Sequence, residues 1–581
     1  MKRKANVSSD VAPSNTQRDL SPGTGGVTTT SGAISGATSG ANSGATSGTT
    51  SDDINLQNPP PPCSNPLVTP LLTDMYQLSM GLAYYRASTH QKSSTFELFF
   101  RKPPFSGEFC VFAGLDQVMS HLQNFKFSES QLLYIKELLP EADEAFINYL
   151  RNLSCSSLTV TSVLPGSLVF PRVPLITVSG PLGLCQLLET TLLTLINYPT
   201  LIATNATRFR LASGPSPTLL EFGLRRAQGP DGGYSASKYA ILGGFDGTSN
   251  VTAGWMERGL KVSGTMAHSY VMSFSGWDGY CGDRAFADKA KEIRDKERAG
   301  TNEGELRAFI EYAQCFPNGF LALIDTYDTL GGVYNFCCVA VAMGMNGLKP
   351  VGVRLDSGDL AYLSRECRRI FDLFKATYPS LTFWDGLQVV ASNDINEGVL
   401  VALGKQDHCI TAYGIGTNLV TCQAQPALGC VYKLVEVEGE PRIKLSQDIE
   451  KVLIPGRKQC YRLIGSDGSP LLDLMQMEDE TPPTPGARIL ARHPFEEQKR
   501  CFVTPTLVVP LTTVVWKDGR SQIPYPTIEG GRMRRKKEVE ACREDHLRAH
   551  NPTPYKVSVS DGLYKFLHRI WLEEAPVVEL S

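Results

Sequence analysis

VGVRLDSGDL, residues 351–360, is the stretch on which the fold turns. Five residues of β composition, Val351 to Leu355, run into a polar tip, Asp356-Ser357-Gly358-Asp359, before helical periodicity resumes. The same succession of strand, polar tip and helix recurs along the middle of the chain. Leu219-Leu220 leads to Glu221, Ala240-Ile241-Leu242 to Asp246, and Lys261-Val262 to His268. Further on, Leu321-Ala322-Leu323-Ile324 leads to Asp325, and Val389-Val390-Ala391 to Ser392-Asn393-Asp394. Finally Ile410-Thr411-Ala412-Tyr413 leads to Gly414-Ile415-Gly416-Thr417. Repeated this often, the succession predicts parallel strands with helical crossovers. Chemistry gathered at each strand's C-terminal tip favours an α/β barrel over an open sheet.

Outward from this core the chain changes character in both directions. Residues 182–197 and 205–212 read as two helices that open the barrel region, 182–429. Upstream, 63–181 mixes helices with short strands between 158 and 180, a β-rich contribution rather than a βα unit. Residues 1–62 are Ser/Thr/Gly-rich, end in Pro59-Pro60-Pro61-Pro62, and are expected to be a disordered low-complexity tail. Downstream, 430–581 turns to β again. Residues 430–437, 442–445 and 459–464 are hairpin-like, with turns at Gly439-Glu440 and Asp467-Gly468. The acidic, proline-rich 478–485 reads as a surface loop, and a helical tail follows. Within that tail Arg532-Met533-Arg534-Arg535-Lys536-Lys537 is expected to be a solvated helix face rather than a nucleic-acid element.

With 56 basic and 59 acidic residues in 581, a net charge of −3 gives no general attraction to nucleic acid or anionic membrane. Fifteen cysteines without a CxxC pair predict reduced, buried thiols and a cytoplasmic, cytosolic protein. The N-terminus lacks the apolar segment of a signal peptide. The longest apolar stretch, 182–202, is interrupted by Glu189, Asn197 and Pro199, which predicts a buried helix rather than a membrane span.

The richest chemistry lies in 221–268, EFGLRRAQGPDGGYSASKYAILGGFDGTSNV and onward to GTMAHSY. Phe222, Arg225 and Arg226 follow a strand, and glycines recur at 229, 232, 233, 243, 244 and 247. Arginines beside glycine-rich turns predict a phosphate-bearing ligand. Asp325, Asp356 and Asp394 would converge on one barrel mouth, where carboxylates hold Mg²⁺ or grip ribose hydroxyls. Singly, each aspartate reads equally well as a helix N-cap, and a lone His268 more often as a hydrogen-bonded structural residue. The chain carries no GxxxxGK[ST], HExxH or GxSxG, which removes P-loop, zincin and serine-hydrolase chemistry.

Taken in order, TDMYQLSM, FELFFRKPPF, ATNATR, the 221–251 segment, GTMAHSY, LIDTYDTL, VRLDSGDL and SNDINE closely resemble nicotinate phosphoribosyltransferase, across 66–576. The resemblance implies an irregular α/β barrel of the type II phosphoribosyltransferase kind, with a mostly β second domain built from N- and C-terminal segments. It implies that nicotinate and phosphoribosyl pyrophosphate give nicotinate mononucleotide and pyrophosphate, coupled to ATP hydrolysis, in NAD salvage. It also implies Mg²⁺ or Mn²⁺ and a homodimer with shared sites. By motif position, Phe222 and Tyr76 would sandwich the pyridine, Tyr76 coming from the other subunit, and Arg225 would meet the carboxylate. Ser249 stands where the related nicotinamide enzyme has a carboxylate, which favours the acid over the amide. His268 would accept the γ-phosphoryl group of ATP. Asp325 and Asp356 would bind metal and the ribose diol, with Asp356 also orienting His268. Arg101 and Arg354 would meet phosphates, Thr265 substrate, and Gly416 and Thr417 the 5′-phosphate. Alternatives that the residues leave open are action on nicotinamide or quinolinate, and a non-catalytic metabolite sensor on the same fold.

Overall fold

A helix of 25 residues, α1 (Glu189–Ser213), runs through Pro199 in the computed structural model, which describes residues 65–575. The stretch 1–62, read as a disordered tail, lies outside the described residues. The two helices expected over 182–197 and 205–212 are therefore a short one, Leu182–Leu187, and α1. Proline removes the hydrogen bond to the carbonyl four residues back, here that of Leu195. Gly114 covers this carbonyl: its φ is +99°, and a Cβ there would lie 2.1 Å from the Leu195 oxygen. A glycine at that position makes the interior proline tolerable, because bare backbone fits against the carbonyl.

Six parallel strands follow: β1 (Thr218–Glu221), β2 (Gly247–Thr248), β3 (Leu321–Leu323), β4 (Gly352–Leu355), β5 (Gln388–Ala391) and β6 (Ala412–Ile415). Their order is β2-β1-β6-β5-β4-β3, every pair parallel. Crossovers include α2 (Gly229–Leu242), α3 (Val251–Met256) and α4 (His268–Met272). The two sheet edges are joined by an irregular segment. Thr248 bridges to Val262, Ser263 N–H donates to the Thr248 carbonyl at 2.9 Å, and the Thr265 hydroxyl donates to the Leu321 carbonyl. The result is the irregular α/β barrel. Two of the expected strands are corrected. Ala240-Ile241-Leu242 ends helix α2, whose residues from Gly233 are almost all buried, so no amphipathic period marks it. Lys261-Val262 contributes a single bridge rather than a strand.

Both chain ends build the β-rich layers. Ser93–Phe100 lies between Ile176–Pro181 and Cys430–Val437, and Thr159–Ser162 pairs with Thr513–Lys517. A second six-stranded sheet centres on Pro470–Met477 and Val557–Ser560. Residues 442–445 are not a strand; the hairpin partner of Cys430–Val437 is only Glu440–Pro441. Helix α5 (Ile528–Ala541) carries the basic run, and it is not simply solvated. Arg535 is buried, Arg532 pairs with Asp246 at 2.8 Å, and Arg534 donates to the Pro165 carbonyl. No helix among the described residues is long and apolar enough to cross a membrane.

One buried carboxyl sets a pH dependence. Glu305 is 1% exposed, accepts one bond from Asn335 at 2.9 Å, and leaves Oε1 without a partner. Burial, with smaller help from Asp328 and Asp325, raises its pKa to about 7. The folded state thus holds a proton that the unfolded chain releases near its ordinary value of 4.5. Its contribution to stability is greatest below that value, falls as pH rises towards 7, and levels off above. At ~1.4 kcal/mol per pKa unit, the ionised group costs the fold about 3 kcal/mol at pH 8. Glu305→Gln should remove this slope and raise the urea midpoint at pH 8 while changing little at pH 4.5. A variant whose midpoint still falls from pH 5 to pH 7 as the parent's does would disprove the assignment.

Candidate active site

The C-terminal tips of β1, β2, β4, β5 and β6 surround a cavity of about 420 Å³. Phe222, Arg225 and Arg226 enter from the end of β1, Ser249 from β2, and Arg354 and Asp356 from β4. Ser392, Asn393 and Asp394 come from β5, and Gly414, Gly416 and Thr417 from β6. Gly264 and Thr265 of the irregular closing segment complete the wall. In size and mixed polarity this suits a small charged ligand with one apolar face.

Glu221 holds one side of the cavity in shape. Its carboxylate is fully buried and accepts from Gly223 N–H, from Ser237 Oγ at 2.7 Å and from Thr248 Oγ1 at 2.6 Å. Asn250 extends this network, donating to Ser237 Oγ at 3.0 Å, and Ser249 N–H donates to the Glu221 carbonyl at 2.9 Å. One side chain therefore fixes the turn bearing Phe222 and Arg225 and the strand end bearing Ser249. The Phe222 ring lies against bare backbone: a Cβ on Gly414 would sit 2.4 Å from Phe222 Cδ2. Gly414→Ala must displace the ring, and misplacement by about 1 Å at a binding site can cost ~100-fold. We expect kcat/KM to fall roughly 10–100-fold with the thermal midpoint little changed. Unaltered kinetics would show that the ring does not contact substrate.

On the opposite side stand His268, Asp325, Asp356 and Arg354. His268 opens α4, and its Nδ1 lies 3.1 Å from Thr326 Oγ1. Its Nε2 faces Asp356 Oδ2 at 3.7 Å and Asp325 Oδ1 at 3.9 Å, both too long for hydrogen bonds. Asp325 Oδ2 accepts from Asp356 N–H at 2.9 Å and from Ser357 Oγ, while Oδ1 is buried without a hydrogen-bond partner. Asp356 Oδ1 accepts from Ser392 Oγ. Arg354 donates to the Met266 carbonyl at 3.2 Å and stands 3.7 Å from Asp356. Burial lowers the Arg354 pKa below its ordinary value, against the pull of Asp356 and Asp325. Among the described residues no three His, Cys, Asp or Glu side chains cluster as a closed metal site.

The residues expected from the sequence thus fall into two groups. Phe222, Arg225, Ser249, Thr265, Arg354, Asp356, Gly416 and Thr417 line one cavity, and His268 and Asp325 stand beside Asp356. Tyr76, 48% exposed, and Arg101 do not line it in this chain. Asp394 lines it but reaches there through a left-handed backbone, φ 42°, held by Asn418 Nδ2 donating to the Ile395 carbonyl at 3.3 Å. Glu221, Thr326 and Ser392 were not singled out as site residues. Thr326 is the partner that sets the His268 ring, whereas Asp356 stands off from it. Only the adjacency of Thr326 to Asp325 hinted at it.

Comparison with known proteins bears on this geometry. A family model described as the nicotinate phosphoribosyltransferase (NAPRTase) N-terminal domain matches residues 71–197, and the NAPRTase C-terminal domain model matches 457–567. The chain is 49% identical over 537 residues to nicotinate phosphoribosyltransferase of Caenorhabditis elegans, covering 89% of this chain and 95% of that protein. It superposes on the crystal structure of human nicotinic acid phosphoribosyltransferase with a TM-score of 0.77 at 40% identity, over 86% of this chain and 99% of the other. Nicotinate-nucleotide pyrophosphorylase from Pyrococcus furiosus superposes with a TM-score of 0.56 at 20% identity, over 82% and 97% of the two chains, a likeness of fold alone.

Proposed function

The chain belongs to the nicotinate phosphoribosyltransferase family and joins nicotinate to phosphoribosyl pyrophosphate; from that premise we propose how its own residues divide the work. The products are nicotinate mononucleotide and pyrophosphate, which makes the reaction a step of NAD biosynthesis. Phe222 stacks on the pyridine ring, and Arg225, exposed at the mouth, forks onto the carboxylate. Ser249 donates to that carboxylate; an acidic side chain at this position would repel it. Arg354 neutralises donor phosphate, and the backbone N–H groups at Gly416 and Thr417 hold the 5′-phosphate.

The unpartnered Asp325 Oδ1, facing the same gap as Asp356 Oδ2, supports a hard cation with two protein oxygens and the rest from substrate and water. Mg²⁺ or Mn²⁺ bound there would neutralise charge on the leaving pyrophosphate. Asp356 and Asp325 would supply its two protein oxygens, and Asp356 also receives a ribose hydroxyl. His268 couples ATP: with the proton on Nδ1, directed at Thr326, Nε2 keeps its lone pair. Nε2 attacks the γ-phosphorus, the bond to the β–γ bridging oxygen breaks, and ADP leaves. The phosphorylated ring then repels Asp325 and Asp356 and attracts the Arg354 guanidinium.

Tyr76 supports a homodimer with shared sites, because it is exposed and absent from this chain's own cavity. Val251 and Trp255, one turn apart on α3 beside the cavity, are 72% and 79% exposed, as an interface requires. The protein acts in the cytosol, in keeping with its free thiols.

The observation that carries substrate choice is Ser249 and Arg225 in one cavity with Phe222. With phosphoribosyl pyrophosphate, Mg²⁺ and ATP, nicotinate should turn over far better than nicotinamide. Ser249→Asp should lower kcat/KM for nicotinate at least about 100-fold and narrow the preference, since juxtaposed like charges cost several kcal/mol. Equal rates on the two substrates in the parent protein would refute the assignment.

A further inference from the structure

At the other end of β1 and β2 from the substrate cavity, helix α5 packs over the turn that joins α2 to β2. Between them lies a separate cavity of about 590 Å³, whose lining includes Arg210, Gly244, Asp246, Arg532, Arg535 and Lys536, together with Glu529 and Glu540. Arg535 is 7% exposed. Its guanidinium lies flat over Gly244, whose φ is +108°: a Cβ there would lie 2.8 Å from Nη2 and 3.0 Å from Cζ. Among the described residues no carboxylate comes within 4.0 Å of this guanidinium, and its buried Nε has no hydrogen-bond partner. The other two buried arginines among the described residues are paired, Arg208 with Glu397 and Arg462 with Asp473.

Of the three carboxylates that line the cavity, the half-buried Asp246 is already shared. Asp246 accepts from Arg210 Nη2 at 2.5 Å and the Leu219 N–H at 2.9 Å on one oxygen, and from Arg532 Nη2 at 2.8 Å on the other. Glu540 is exposed and lies 4.0 Å from Lys536 Nζ, and Glu529 is exposed in the first turn of α5. Burial, then Arg210 and Arg532, push the Arg535 pKa down to about 10. Even so it stays charged at neutral pH. A buried, planar, five-donor cation with further cations around it and no carboxylate within 4.0 Å is an incomplete ion pair.

We propose that this cavity is an anion site, in which Arg535 forks onto a small oxyanion of the phosphate type, with Arg532 and Lys536 at its rim. The fork geometry of guanidinium favours such planar or tetrahedral oxyanions over halides. An occupant would tie α5 to the 243–246 turn. Asp246 anchors that turn to the start of β1, and three residues beyond it Ser249 lines the substrate cavity.

The test is thermal unfolding and calorimetric titration of the full chain with inorganic phosphate, and separately pyrophosphate, against chloride at matched ionic strength. Both anions can also enter the substrate cavity, so two variants separate the sites. Arg535→Met should bind phosphate at this site at least tenfold more weakly and lose the corresponding rise in midpoint. It should unfold later than the parent in chloride alone, and keep nicotinate turnover within twofold. Arg354→Met, which removes the phosphate-facing cation of the substrate cavity, should retain the rise. An Arg535→Met protein that titrates like the parent overturns the proposal. If that variant does not fold, parent crystals soaked in tungstate decide. An anomalous peak within hydrogen-bond reach of Arg535 supports the site, and peaks confined to the substrate cavity overturn it.

Discussion

His268→Ala protein incubated with γ-labelled ATP should acquire no acid-labile phosphate, and its turnover should lose all stimulation by ATP while a slower, ATP-independent reaction persists. His268 is 39% exposed and touches Thr326 without supporting the core, so its removal should leave the fold intact. The expected loss in the ATP-coupled rate is at least about 100-fold, as for removal of a covalent nucleophile whose neighbours keep their binding roles. Label persisting in the variant would move the acceptor elsewhere. Thr326→Val is the companion. It removes the Nδ1 partner while leaving Nε2, so labelling should slow without disappearing, and a Thr326→Ser protein should recover most of the rate. That graded outcome would not follow from a merely structural threonine.

Asp473→Asn should be the most destabilising of these substitutions. Asp473, 1% exposed, receives a two-pronged contact from Arg462 at 2.9 and 3.0 Å and the Tyr555 hydroxyl at 2.9 Å. Arg462 in turn donates to Glu538 of α5 at 2.9 Å and to the Leu168 carbonyl at 2.8 Å, so one guanidinium ties the C-terminal sheet to an N-terminal strand and to α5. Removing one partner of a buried pair leaves the other charge desolvated, a loss of about 3–5 kcal/mol. Replacing both by apolar groups avoids that cost. Urea unfolding should therefore show Asp473→Asn well below the parent and an Arg462→Met, Asp473→Leu double variant partly recovered. A double variant no better than the single would mean that packing, not charge, dominates.

The barrel was legible because β4, β5 and β6 each end in a glycine or acidic tip that interrupts an apolar run, a change of period visible without a structure. Ala240–Leu242 misled for a physical reason. A helix buried on nearly every side, as α2 is, loses its amphipathic stripe, and a short apolar run then reads as a strand. Pro199 misled in the opposite sense, since the partner that makes it tolerable, Gly114, is 85 residues away. The substrate-facing residues were legible through motifs. Glu221 was not, because a buried carboxylate at a strand end looks like any polar tip until Ser237 and Thr248 are seen to converge on it. The basic run on α5 looked like an ordinary solvated face. What distinguishes Arg535 from its neighbours is the glycine that it lies against, and no helical period encodes that.

Ser93–Phe100 receives one neighbour, Ile176–Pro181, early in the chain, and the other, Cys430–Val437, about 330 residues later. During synthesis the apolar strand SSTFELFF must wait with an open edge while that length is made, roughly 15–65 s at ~5–20 residues per second. An unpaired β edge of this composition is a template for wrong partners. Production of the protein is thus governed by the ribosome's pace and by chaperone supply over that interval, and lowering the temperature or the expression rate should raise soluble yield more than any change at the substrate cavity.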